Sequence, residues 1–218
     1  QLAPDAILLP VDFEAYRHYS RLFKAAVASI TTQIEDSGID EIYIDLSNLP
    51  GDTLTLAKRI KQVVKDATGL SCSIGITPNK LLSKICSDLE KPDGLTILGI
   101  ADIQDRIWPL SVRKINGIGP KATQKLASLG ITTIAELAQA EPSFLQIHFG
   151  RSYAAWLYEA SHGIDHRPVI THAEPKSISR ETTFEQDLHP RRDRSALSEA
   201  FTTLCVQVAE DLNSKGYV

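Results

Sequence analysis

The sequence predicts an α+β fold that begins with strands and helices in one layer (α+β or α/β) and continues with a small all-helical unit. Two runs predict strands, because apolar and polar residues alternate at 41–47 and 70–76. Apolar residues at helical spacing occur around these runs, at 13–30, 53–67 and 81–89. From residue 111 the alternation gives way to short helices joined by glycine turns.

The ends of these elements are marked by capping and breaking residues. Gly69 ends the helix at 53–67, and Thr77 followed by Pro78 predicts the N-cap and first position of the next helix. Pro92 and Gly94 stop that helix. Further along, the pattern predicts a linker at 164–176, a strand at 177–184 and an amphipathic helix at 195–212.

The composition excludes several classes of protein. With 43% hydrophobic and 23% charged residues, the chain is neither disordered, collagen-like nor coiled-coil. No apolar run approaches the ~18 residues of a membrane span, and no signal peptide opens the chain, so we predict a cytoplasmic location without membrane contact. Three cysteines at wide spacing favour neither a disulfide framework nor a zinc site. The lack of methionine and the initial Gln1 predict a fragment or a processed product.

The net charge is −4, so the overall electric field does not itself indicate a nucleic-acid partner. A DNA-binding interpretation therefore depends on local motifs, and a small-molecule enzyme stays open at this point.

Adjacent carboxylates at Asp40 and Glu41 are the strongest chemical signal, because they stand at the start of a predicted strand. Paired acids can hold two Mg²⁺ ions for nucleotidyl transfer, as in palm-type polymerases. Neighbouring residues of a regular strand point to opposite faces, so one shared site requires a bend, which Gly38 makes accessible. The alternative is a surface hairpin with solvated acids.

Two further motifs could hold phosphates. Lys80, Lys84 and Lys91 fall within about 40° of one another on a helix, as a phosphate-binding row or a simple solvated face. The glycines at 117 and 119, followed by Pro120 and a helix with Lys121 and Lys125, are typical of a helix-hairpin-helix that holds backbone phosphates, although glycine turns between helices are common.

In this order the motifs resemble the Y-family (lesion-bypass) DNA polymerases, and in particular their bacterial polymerase IV branch. The resemblance extends over nearly the whole chain. Its matching stretches are 40–45, 73–80, 87–94, 115–119, 163–165 and 176–183.

The resemblance implies a ferredoxin-like polymerase palm at 1–110, a thumb at 111–172 and the start of an α/β little-finger domain at 173–218. Asp40 and Glu41 would be catalytic metal ligands for two Mg²⁺ ions, and Lys91 would contact the incoming deoxynucleoside triphosphate. The implied partner is primer–template DNA, with a sliding clamp reached through regions mostly absent here. The implied DNA-binding residues are Lys84, Gly117, Ile118, Gly119, Lys121 and, on a strand along the template, Ser177, Ser179, Arg180 and Thr182.

The departures from the family pattern limit the expected activity. The family's first metal-binding aspartate, steric gate and fingers do not precede Gln1, and Asp12 is too near Asp40 to replace that aspartate, so we expect no primer extension by this chain alone. Gly38 stands where the family usually has serine. Two alternatives are a non-catalytic DNA-binding adaptor of the same fold and a nucleotide cyclase. The cyclase leaves the glycine hairpin without a role, whereas retention of both carboxylates and Lys91 argues against the adaptor.

Overall fold

The computed structural model describes residues 3–217, and these divide into two compact units between Thr171 and His172. The first unit begins with helix α1 (Phe13–Ala28), strands β1 (Ile34–Asp36) and β2 (Ile42–Ile44), and helix α2 (Thr53–Thr68). It continues with strand β3 (Ile74–Ile76), helix α3 (Lys80–Ser87) and strand β4 (Leu95–Ile97). The α+β class predicted from the sequence is confirmed.

Capping residues explain where the first two helices begin. Asp12 accepts a hydrogen bond from the Ala15 amide (3.0 Å), and Asp52 accepts one from the Thr55 amide (2.9 Å). Gly69 ends α2 with φ +72°, the left-handed conformation that glycine adopts without strain. Both helices occupy the positions that the sequence predicted.

The strands form two small sheets. β1 and β2 are antiparallel, with Glu35 opposite Tyr43, and β3 and β4 are parallel, with α3 as the crossover. The alternating patterns identified β2 and β3, but both strands are shorter than their patterns. β1 and β4 were not predicted, because three-residue strands give too little alternation.

Two apolar clusters form the core of the first unit. Val27, Ile60 and Val64 of α1 and α2 pack with isoleucines of β1, β2 and β3. The larger cluster joins Leu82 and Ile85 of α3 to the helices that follow β4. The predicted apolar face of α3 is confirmed for Leu81, Leu82, Ile85 and Cys86, which are buried, but both ends of the helix are corrected. Asn79, not Thr77, is the N-cap, because its side chain accepts a hydrogen bond from the Leu82 amide (3.0 Å), and the helix ends at Ser87, before Leu89 and Pro92.

From residue 111 to Ser161 the first unit is helical, as predicted. A π-helical turn at Ile103–Ile107 between 3₁₀ turns at Ile100–Asp102 and Val112–Lys114 leads into four α-helices. These are α4 (Pro120–Ser128), α5 (Ile134–Gln139), α6 (Pro142–Phe149) and α7 (Arg151–Ser161).

The second unit contains one helix, α8 (Arg194–Ser214), as the amphipathic pattern predicted. The predicted strand at 177–184 is wrong: these residues have no regular structure. A strand needs a neighbour to pair its backbone groups, and the described part of this unit supplies none. Across residues 3–217, no helix combines the length and apolarity that a membrane span requires.

Candidate active site

The β1–β2 hairpin presents Asp40 and Glu41 at its end. Gly38 bends the connection with φ +149°, a conformation that side-chain-bearing residues rarely adopt, although a Cβ there would have open space. Lys24 fixes the connection by donating to both Asp36 carboxylate oxygens (2.8 Å) and to the Gly38 carbonyl (2.7 Å). The bend therefore depends on the glycine backbone and on one lysine from α1.

Asp40 and Glu41 differ in their surroundings. Glu41 is 44% exposed and accepts a hydrogen bond from the Lys84 ammonium of α3. Asp40 is exposed, and within the described chain no hydrogen bond or ion pair engages its carboxylate. The side chain of Glu41 thus faces the lysine-bearing helix, while Asp40 is open to solvent.

The lysines of α3 do not form the single exposed row that one interpretation of the sequence suggested. Lys80 is buried, with 8% of its side chain exposed, and donates to both oxygens of Glu35 (2.7 and 2.9 Å). Its ammonium also lies 5.4 Å from the centre of the Tyr43 ring. Lys80 therefore fastens α3 to the β1–β2 sheet and is not available to a phosphate.

Lys84 and Lys91 lie on either side of Asp88. One Asp88 oxygen is 2.5 Å from the Lys91 ammonium and the other is 3.8 Å from that of Lys84. Burial opposes the charge of Asp88, but the hydrogen bond from Lys91 and the nearby Lys84 outweigh it, so the pKa of Asp88 is lowered. Burial likewise acts against the Lys84 ammonium, yet the bond to Glu41 raises the pKa of Lys84. Both lysine ammonium groups are thus held close to carboxylates.

Two aromatic residues of α7 contact the glycine hairpin before α4. The Tyr153 hydroxyl donates to the Gly117 carbonyl (3.0 Å), and a Cβ at Gly117, where φ is +106°, would lie 2.8 Å from the Trp156 ring. The Ile118 side chain is buried, and its amide donates to the Ile115 carbonyl (3.0 Å). Among the described residues, the amides of Gly117 and Gly119 have no backbone acceptor.

A cleft of about 290 Å³ separates this hairpin from β2 and α3. The hairpin and the Lys84 ammonium, which the sequence could only predict separately, lie on its two sides. Its lining residues are Tyr43, Leu81, Lys84, Asn116, Gly117, Trp156 and Arg167.

Arg167 is the functional candidate that sequence reasoning missed. Its guanidinium donates to both Asp165 oxygens (2.8 and 2.9 Å), while 64% of the arginine side chain stays exposed. Asp165 is itself buried and accepts the Leu81 amide at the start of α3 (3.0 Å). The stretch 163–165 matched the family pattern, but nothing in the sequence indicated that the chain would return to α3 at this point.

The second unit arranges its predicted DNA-binding residues differently from the expectation. Ser177, Ser179 and Thr182 are exposed but do not lie on a strand. Arg180 donates to both oxygens of Asp211 (2.6 and 2.7 Å), so its partner is an acid of α8.

The hairpin acids have the right chemistry for Mg²⁺, which prefers oxygen ligands and is commonly held by one or two carboxylates with substrate phosphates. Over residues 3–217 no group of three or more His, Cys, Asp or Glu side chains is placed to hold a metal. At the hairpin, Asp40 and Glu41 offer two carboxylates, and that of Glu41 already accepts a hydrogen bond from the Lys84 ammonium.

Comparison with known proteins identifies the family of the chain. The impB/mucB/samB family model matches residues 1–88, the DNA polymerase-iota thumb-domain model matches 113–165, and the impB/mucB/samB C-terminal domain model matches 175–218. The chain belongs to the Y family of DNA polymerases.

Within that family the chain is similar to bacterial DNA polymerase IV. The protein of that name from Xanthomonas euvesicatoria is 40% identical over 191 residues, which are 86% of this chain and 53% of the relative. DinB from Sulfolobus solfataricus has a TM-score of 0.69 at 28% identity over 77% of this chain and 50% of its own. A structure described as an insertion ternary complex of Dbh DNA polymerase gives 0.69 at 29% identity, with the same coverage. The chain spans about half the length of the curated relatives it matches.

Proposed function

We propose that this chain carries metal-binding carboxylates and part of the DNA-binding surface of a template-directed translesion DNA polymerase, which transfers deoxynucleotides to a primer 3′ end. The observation that carries the proposal is the cleft. It is lined both by the glycine hairpin and by Lys84, and Lys84 is bonded to Glu41 of the carboxylate hairpin. The family relationship supports the same reaction.

In this proposal Asp40 and Glu41 are the catalytic residues that hold Mg²⁺. When bound, two such ions would activate the primer hydroxyl and neutralise charge on the triphosphate. Lys91 would bind the triphosphate of the incoming nucleotide: half of its side chain is exposed, and its only ion-pair partner in the described chain is Asp88. After the bend at Gly38, Asp40 is open to solvent and Glu41 is 44% exposed, so a substrate can reach both acids.

The primer strand would lie along the cleft. The amides of Gly117 and Gly119 would donate to its phosphates, with the exposed Lys121 at the start of α4 beside them. Ile118 would contribute through its buried side chain, which anchors the turn. Lys84 and Arg167 would add positive charge on the opposite wall. All of these contacts would be to the sugar–phosphate backbone and would not select a base sequence.

The remaining assignments are also proposals. We assign the palm to 1–110, the thumb to 111–172 and the beginning of the little finger to 173–218; the three family models, at 1–88, 113–165 and 175–218, support this order. Ser177, Ser179, Arg180 and Thr182 would reach the template strand after rearrangement of an exposed segment. A cytoplasmic location and contact with a sliding clamp belong to the proposed role of the whole protein.

Two binding measurements test the proposal. Fluorescence anisotropy of a labelled primer–template should show affinity that falls linearly with salt on logarithmic axes and is independent of base sequence. Electron paramagnetic resonance of Mn²⁺ should show binding that Asp40→Asn weakens strongly, with DNA affinity nearly unchanged. A flat salt response would contradict the DNA-binding surface, whereas DNA binding without Asp40-dependent Mn²⁺ binding would favour the non-catalytic adaptor.

A further inference from the structure

Four charged side chains alternate in sign from the carboxylate hairpin to the loop after α3. Glu41 is bonded to Lys84, Lys84 lies 3.8 Å from an oxygen of Asp88, and the other Asp88 oxygen lies 2.5 Å from Lys91. We call Glu41, Lys84, Asp88 and Lys91 the charge row. Its first member is a proposed metal ligand and its last is the proposed triphosphate contact.

The row leaves Lys84 with two possible carboxylate partners. Its ammonium is bonded to Glu41 and only approaches Asp88, which is one helical turn further along and is already engaged by Lys91. The Lys84 side chain is 21% exposed, so its charge interactions are screened less than those of a free surface lysine. Loss of the Lys91 contact would therefore leave Asp88 as a stronger competitor for Lys84.

We propose that Lys84 is a displaceable counterion of Glu41 and that Asp88 receives it, so that divalent-cation binding at Glu41 is coupled to the arrival of a triphosphate at Lys91. The inference rests on the proposed function. An anion that occupies Lys91 frees Asp88, Asp88 draws Lys84 away, and the Glu41 oxygens become available to a divalent cation. Because coupling between two binding sites is reciprocal, the cation also favours the triphosphate.

The competing explanation is that Lys84 and Asp88 only stabilise the fold as static ion pairs. In that case their removal would change the free energy of unfolding, but their effects on cation affinity would be independent and additive. Displacement instead requires that Asp88 act on the metal site only through Lys84.

The experiment measures Mn²⁺ affinity of the whole chain by electron paramagnetic resonance without nucleotide, so that no catalysis is involved. Lys84→Gln should tighten Mn²⁺ binding about fivefold, a typical size for coupling between sites. Asp88→Asn should weaken it about two- to threefold, because Lys84 then has Glu41 as its sole carboxylate partner. Lys91→Gln, which mimics capture of Lys91, should tighten binding, and this gain should vanish in the presence of Asp88→Asn.

The double variant Lys84→Gln/Asp88→Asn separates displacement from simple charge effects. The Mn²⁺ affinity of the double variant should equal that of Lys84→Gln alone, because Asp88 acts on the metal site only through Lys84. Thermal unfolding of each variant within a few degrees of the parent chain confirms that the fold is intact.

Two results overturn the inference in distinguishable ways. Additive effects of Lys84→Gln and Asp88→Asn, or unchanged affinity in Lys84→Gln, would overturn the displacement alone if Asp40→Asn still weakened Mn²⁺ binding. Unchanged Mn²⁺ affinity in Asp40→Asn and Glu41→Gln would overturn the metal site itself and the displacement with it.

Discussion

Helices α3 and α8 are both amphipathic in sequence, yet the structure buries them to different extents. Five of the eight residues of α3 are buried, including the charged Lys80, whereas α8 has no buried residue in 21. α3 packs on β3 and β4 and pairs with Glu35 of β1, while α8 is paired through Asp211 with Arg180 of the irregular segment of its own unit. An apolar face is a property of the sequence, but its burial depends on the layer that covers it.

The largest expected effect tests this difference in burial directly. Leu82→Ala removes a fully buried side chain from the larger core and should cost about 3 kcal/mol of unfolding free energy. Phe201→Ala in α8, where the side chain is 69% exposed, should change the free energy by about 0.5 kcal/mol or less. Urea titrations of both variants measure the contrast. Equal losses would mean that α8 is covered in solution.

An ion pair of the first unit should also contribute more to the free energy of unfolding than an ion pair of the second unit. Lys80→Gln leaves the Glu35 carboxylate, whose side chain is 19% exposed, without its main partner, and should cost about 2–3 kcal/mol. Arg180→Gln removes an ion pair at the surface and should leave stability unchanged. Unfolding by urea at neutral pH compares them. A comparable loss in Arg180→Gln would show that its pair with Asp211 is a structural link.

Acid should weaken the first unit through its paired carboxylates. The bond from Arg167 lowers the pKa of Asp165 in spite of burial, so this interaction stabilises the fold above the unfolded pKa of about 4 and is lost as pH falls through the lower, folded value. Asp165→Asn should be less stable than the parent at pH 7 and lose less stability between about pH 4 and pH 2. Thermal midpoints across this range test the prediction, which parallel curves for the two proteins would contradict.

The smallest expected effect concerns two lysines of α4 and their contributions to DNA binding. Lys121 is exposed and has no ion pair among the described residues, while Lys125 donates to the His148 carbonyl and lies 4.8 Å from the centre of the Phe149 ring. Lys121→Gln should reduce the slope of log affinity against log salt by about 1. Lys125→Gln, the matched control, should leave the slope unchanged, and equal slopes in both variants would remove Lys121 from the DNA-binding surface.

Local pattern was sufficient where a few neighbouring residues decide the structure. Alternation located β2 and β3, and helical spacing located α1 and α2, with Gly69 marking the end of α2. The failures lie where the deciding partner is distant in sequence. The segment 177–184 has strand-like residues but no neighbouring strand among the described residues. The N-cap of α3 is Asn79 and not Thr77, and the side-chain amide of Asn79 also donates to the distant Gly163 carbonyl (2.8 Å).

By itself, the sequence determined the chemistry that this protein can offer: adjacent carboxylates after a bend-permitting glycine, lysines on and just after α3, and glycines whose amides can approach a phosphate. Only the tertiary structure decided which charges meet. It buried Lys80 against Glu35, placed Lys84 on Glu41, and brought Arg167 to the cleft. The physical reason is that electrostatic pairing depends on distance through space, and residues such as Lys84 and Glu41, 43 positions apart, come together only when the sheets and helices pack.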